Sequence, residues 1–351
     1  MRLRLIAVTS IGLLLTLAAV AFGGIPLLAG LLALAGLAAA TLPPRSRRYL
    51  LRRMVRITAT VLVAMALVWI LVHNYPDASR TDATGLIPAL THYVSWLGDV
   101  VAGDLGGTTS YSETVGQGVS RTVPISLQLV AYSQVIAVAL AVPGAVLGAR
   151  YRGRLPDLGA RATGILGLTV PLFVSGVLLA QLLGVGDVNL GGVHIGLALL
   201  PTGRYVPLGD GVVPHLRSML LPSLTLALGT AATYLVLLRS ELLGQLTQDH
   251  VLLARSKGLP PGRIITRHAL RPAAPSAVAA IAAQSGAMLG NVVIIEHIFL
   301  LPGFGDYVLV AVGRRDELAV VGGLFVAAVI LAAVNLLADA ALIAVDPRLQ
   351  P

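Results

Sequence analysis

The sequence predicts an all-α, polytopic membrane protein, and three observations predict it. Of the 351 residues, 56% are hydrophobic and only 12% charged, about half the charge of an ordinary soluble domain. The apolar residues fall into repeated runs close to the twenty that an α-helix needs to cross a bilayer. Between the runs, arginine-rich and acidic linkers alternate, as the positive-inside rule requires of a chain that threads back and forth. Cysteine is absent, which removes disulfides, thiolate metal sites and iron–sulfur clusters. The net charge of +9 resides in the linkers. No soluble basic domain exists to hold a duplex, so no nucleic-acid partner is expected. Only Lys257 of the 25 basic residues is a lysine, which reads as a coding bias.

In chain order, residues 5–22 and 25–42 form two apolar segments separated by Gly23, Gly24 and Pro26. They read as a transmembrane hairpin over 1–45. A signal peptide is the competing reading, with Arg2 and Arg4 before the apolar core and Ala19-Val20-Ala21 as a small-x-small cleavage site. Arg45, Arg47, Arg48, Arg52, Arg53 and Arg56 follow with no acidic residue among them, which marks a cytoplasmic segment able to touch anionic lipid headgroups. Residues 57–72 enter the bilayer. The stretch 73–118 carries Asp77, Asp82, Asp99, Asp104 and Glu113 and reads as an external loop, with Tyr93, Trp96 and Tyr111 as interfacial anchors and a glycine turn at Gly103–Gly107. A span at 122–148 places Gln128 and Tyr132 four apart on one face. Arg150, Arg152, Arg154 and Arg161 return the chain to the cytoplasm, 163–184 goes out, and 217–239 comes back. His194 and His215, in the Gly- and Pro-rich stretch 185–215, are too isolated for a metal site. A span at 273–295 carries Gln284 and Asn291, seven apart and hence on one face. Glu296–Gly305 reads as an external turn made by Gly303 and Gly305. A last span at 319–343 follows. The alternation gives eight spans with both termini cytoplasmic.

The most informative stretch is polar. Asp249 is placed to cap a short helix in which Val251, Leu252 and Ala254 are the apolar positions, and Gly258 is placed to end it before Pro260 and Pro261. Arg255, Lys257, Arg263, Arg267 and Arg271 make the segment basic and cytoplasmic. The run Asp249-His250-Val251 through Ala254-Arg255-Ser256-Lys257-Gly258-Leu259, followed by Arg267-His268-Ala269-Leu270-Arg271-Pro272, resembles the cytoplasmic "EAA" loop of permease subunits of binding-protein-dependent ABC importers, in the dipeptide, oligopeptide and nickel branch. Ala254 and Gly258 match the family's small residues, Arg255 and Lys257 its basic pair, and Arg267 to Leu270 its downstream block. The founding Glu-Ala-Ala is only partly kept, since Leu252 and Leu253 precede Ala254. Glu296-His297-Ile298-Phe299 with Pro302-Gly303-Phe304-Gly305 is similar to a second family stretch, and the resemblance runs from about residue 50 to 350.

The resemblance implies a six-span permease core at 46–350 with a coupling loop at 240–272, preceded by the 1–45 hairpin as an addition. It implies a bacterial plasma (inner) membrane location, a second homologous permease, two cytoplasmic ATPase subunits seated on the loop through Asp249, Ala254, Arg255, Lys257, Gly258, Arg267 and His268, and an extracytoplasmic solute-binding protein. Peptides or related small solutes are the implied cargo. The chain lacks a Gly-x-x-x-x-Gly-Lys-Ser/Thr loop, so ATP and Mg2+ are expected in the partner ATPases and no catalytic residue or metal ligand is assigned here. Glu296-His297 has no nucleophile or third partner. Gln128, Tyr132, Gln284 and Asn291 are candidates for the translocation path, with polar packing between helices as the other reading. The alternative function is an ion-coupled secondary transporter or channel acting alone. It requires ionisable residues at mid-membrane, where the spans offer mainly Gln, Ser, Thr and Asn.

Overall fold

A computed structural model describes residues 44–73, 86–108, 113–185, 188–190, 193–195 and 199–345. Of the hairpin expected over 1–45, residues 1–43 lie outside the described residues, as does Tyr111. Among the described residues five helices are long and apolar enough to cross a membrane, and a bent pair brings the number to six when counted as one span. These are α1 (Pro44–His73), α3 (Val115–Arg150), the pair α4 (Leu155–Thr169) and α5 (Leu172–Leu179), α6 (Val212–Gln245), α8 (Leu270–Ile298) and α10 (Glu317–Val345). The six-span core read from the sequence is therefore present. The shorter helices are α2 (Leu86–Ala102), α7 (Asp249–Ser256) and α9 (Phe304–Gly313). The described strands are β1 (Val188–Leu190) and β2 (Val193–Ile195), an antiparallel hairpin pairing Asn189 with His194.

The chain divides into two compact units, one of residues 1–126 with 302–351 and one of 127–301. In the first, the stretch expected to be an external loop contains α2. Its buried residues Ala89, Tyr93, Trp96 and Val100 recur at helical spacing and form one stripe. Tyr93 and Trp96, expected as interfacial anchors, are buried: they pack with Trp69 and Phe325, ring centroids 5.3 to 6.2 Å apart around Trp96, and the Tyr93 hydroxyl donates to the Leu62 carbonyl at 2.9 Å. The glycine turn is as expected. Gly103 and Gly106 both have φ +96°, and Asp104 Oδ1 accepts the Gly106 N–H at 2.8 Å.

In the second unit α6 is the central element, packed against α4 and α8 and more buried than the other spans. Small residues let its neighbours approach. Ala137, Ala141, Ala145 and Ala149 present a buried stripe along α3, and on α4 a Cβ added at Gly164 or Gly167 would fall 2.6 Å from Val236 or 2.5 Å from Ala232. The expected span at 163–184 is broken: α4 and α5 meet at 106°. Pro171 is the cause. It has no N–H to give to Gly167 and forces Val170 into extended backbone, φ −75° and ψ 121°. Apolar composition runs unbroken through this point, so hydropathy alone gave one straight span.

The turn after α8 also differs from expectation. Gly303 is extended (φ −90°, ψ 179°) and begins α9, whose first N–H, from Phe304, donates to Ser126 Oγ at 2.8 Å. The left-handed residue is instead Leu300, φ +52°. The Leu301 N–H reaches the Glu296 carbonyl at 2.9 Å across it, a Schellman closure with a leucine where glycine is usual.

Candidate functional site

The basic loop joins α6 to α8 and is organised by α7. Gln248, not Asp249, is the N-cap residue, and its side chain makes no capping bond. Asp249 is displaced by one position and becomes the first helical residue, its carboxylate in the first turn, where the helix dipole favours negative charge. The C-terminus closes as the sequence suggests. Gly258 has φ +74°, its N–H donates to Arg255 at 2.9 Å, and the Leu259 N–H donates to Ala254 at 3.3 Å, a Schellman motif.

The orientation of α7 changes the expected roles. Val251 and Ala254 are buried at 0% and 4% exposure against Ile264, with Leu246 and Leu259 beside them. Ala254 thus faces its own chain, and the side turned outward carries Leu252 and Leu253, 48% and 58% exposed, with Arg255, Ser256 and Lys257. Leu246 follows the last turn of α6, and Ile264 begins a π-turn, Ile264–Ala269, that runs directly into α8. His250 Nε2 donates to the His268 carbonyl in that turn at 3.2 Å. Arg267 is exposed and His268 half-buried. The helix is thereby fastened to the ends of two spans.

A second device at the same end escaped the sequence reading. Asp157, 1% exposed in the first turn of α4, accepts the Gly153 N–H at 2.9 Å, Arg161 Nη2 at 3.1 Å and Arg239 Nε at 2.7 Å. It clamps the loop after α3 to α4 and α6. Nη1 of Arg150, the last residue of α3, lies 3.7 Å from where a Cβ on Gly262 would stand, so the end of α3 adjoins the basic loop. The signal available in sequence was Asp157 four residues before Arg161. Arg239, 82 positions away, gave none.

The four path candidates separate into two pairs. Gln284 and Asn291 both line a cavity of about 370 Å³ at the α4–α5 bend, facing α6 and α8. Gln128 and Tyr132 do not line it. The Tyr132 hydroxyl lies 3.2 Å from Nε2 of the fully buried His215, whose Nδ1 is 2.7 Å from the Val206 carbonyl. A carbonyl only accepts, so Nδ1 carries a proton and donates it to Val206. Gln128 Oε1 is buried and, among the described residues, has no hydrogen-bond partner. Among the described residues no three His, Asp or Glu side chains gather as a metal site.

Residues 141–351 match the family described as "binding-protein-dependent transport system inner membrane component". The chain belongs to that family. It is a permease subunit of a binding-protein-dependent transport system and a multi-pass membrane protein. It is 31% identical over 277 residues to a putative peptide permease protein of Brucella ovis, covering 78% of this chain and 84% of the relative. It is 28% identical over 320 residues to a dipeptide transport system permease protein of Bacillus subtilis, covering 86% and 98%. An oligopeptide transport system permease protein of the same organism is 29% identical over 285 residues, covering 78% and 87%. In this permease the family match includes α7, the π-turn and both cavity amides.

Proposed function

We propose that this permease forms, with a second homologous permease, the membrane path of an ATP-driven importer of peptides, in a bacterial inner membrane with both termini cytoplasmic. Two cytoplasmic ATPase subunits, which bind ATP and Mg2+, seat on the outward face of α7, and an extracytoplasmic binding protein delivers the solute. The peptide cargo is supported by the names of the relatives. Coupling is supported by one observation above all: α7 rests on Leu246 and Ile264, the ends of α6 and α8, through Val251 and Ala254. A force applied at Leu252 and Leu253 is passed by close-packed side chains to both spans. Asp249, Arg255, Lys257, Arg267 and His268 surround that contact, and Gly258 and Ala254 hold α7 in place. Gln284 and Asn291 belong to the translocation path. Affinity purification of the chain from its native membrane, with identification of every co-purifying protein and bound solute, tests the reading. Recovery of an ATPase, a second permease and a peptide-loaded binding protein is expected. Peptide uptake by the chain alone in liposomes, without ATP, contradicts it.

A further inference from the structure

The cavity at the α4–α5 bend has a lining with a definite chemical bias. Its polar members are Thr163, Ser175, Thr230, Gln284 and Asn291, and none of its lining residues is ionisable. Gly167 is also in the wall, with its carbonyl oxygen 3.5 Å from where a Cβ on Gly229 of α6 would stand. The wall therefore offers amide donors, amide acceptors and hydroxyls, but no formal charge. Gln284 lies fourteen residues into α8, roughly 21 Å along its axis, which is mid-depth for a membrane span. The volume falls in the usual range for small-solute sites.

Building on the peptide-permease reading, we infer that this cavity binds the translocating peptide by its backbone amides and is indifferent to the charge of its side chains. A carboxylate or ammonium finds no counter-charge in the wall and stays with its water, since an unpaired charge is not desolvated at a tolerable cost. Backbone N–H and C=O groups, by contrast, find complementary partners in the side-chain amides of Gln284 and Asn291. Every peptide carries those groups, so the binding protein selects and this site passes.

The test uses the complete importer, with both permeases, ATPases and binding protein, in liposomes, and compares uptake of trialanine, alanyl-lysyl-alanine and alanyl-glutamyl-alanine at saturating binding protein. The native complex should carry all three at comparable rates. Gln284→Leu with Asn291→Leu should lower all three together by about tenfold, the effect of one or two lost hydrogen bonds, while ATPase stimulation by the binding protein persists. Gln284→Lys should reduce the lysyl peptide selectively. Should the double variant fail to assemble, Gln284→Ser gives the same readout with less disturbance. Native rates in the variants, or a lysine at 284 that leaves the charge preference unmoved, overturn the inference while the permease reading stands. ATP-dependent uptake of no peptide by the native complex sinks both.

Discussion

The end of the bundle that carries α7 and the cavity at its mid-depth are built by opposite means. The first is dense in charge: Asp157 gathers Arg161 and Arg239, and Arg255, Lys257 and Arg267 are exposed around α7. The second has no ionisable group in its wall and depends on glycines and a proline for its shape. The difference follows from solvent. Near water, arginines remain hydrated while a single buried carboxylate orders them, whereas at mid-depth an unpaired charge is costly and neutral amides are the affordable polar groups. On the proposed function, the first region carries force and the second admits a solute.

The largest effect should come from disturbing the seat of α7. Ala254→Trp overpacks a site already closed by Val251 and Ile264, at a cost of about 1–3 kcal/mol, and should abolish uptake in a chain that still inserts. Gly258→Val should be nearly as damaging, because a β-branched residue in left-handed backbone costs about 1–2 kcal/mol. Nothing lies within 4 Å of a Cβ at 258, so Gly258→Asn, which tolerates that backbone, should keep most transport. If asparagine fails as badly as valine, a partner surface rather than backbone angle sets the requirement. Uptake assays on these variants separate the two.

Next in size is the clamp. Arg239→Leu leaves the buried Asp157 without its closest cationic partner and should lower the thermal midpoint of the purified protein by several degrees, with Arg161→Leu, on the exposed side, doing less. Equal effects would mean that the clamp is loose and the stiffness of this end comes from packing alone. The smallest effect should be Tyr132→Phe, which removes one hydrogen bond to His215 for about 0.5–1.5 kcal/mol and should leave uptake near normal, in contrast to Gln284→Leu. A transport loss at Tyr132 comparable to that at Gln284 would return it to the solute path.

Hydropathy made the six spans legible, because every described crossing helix is apolar over a bilayer's length. It could not show where a run bends: Pro171 interrupts backbone hydrogen bonding without interrupting apolar character. The pairing of Gln284 with Asn291 was legible from their seven-residue spacing on one helix. Tyr132 looked equivalent, and what set it apart was a histidine 83 positions away. Arg239 and Asp157 were hidden for the same reason. In α7 the sequence located the helix and its glycine end but not which side faces in, since an eight-residue helix with apolar residues at 251, 252, 253 and 254 defines no single face.

The central claim is that α7 stands on its own chain by Val251 and Ala254 and presents Leu252 and Leu253 to the ATPase. Docking the exposed parts of two leucines contributes roughly 2–3 kcal/mol, so Leu252→Asp with Leu253→Asp should be severe. The measurement is ATP hydrolysis by the assembled importer with and without solute-loaded binding protein. The account predicts that the double variant inserts and pairs with its partner permease, yet loses ATPase association or all stimulation by the binding protein, while Arg255→Ala retains most of it. Full stimulation in the double variant would contradict the account and remove the outward face of α7 from the coupling path.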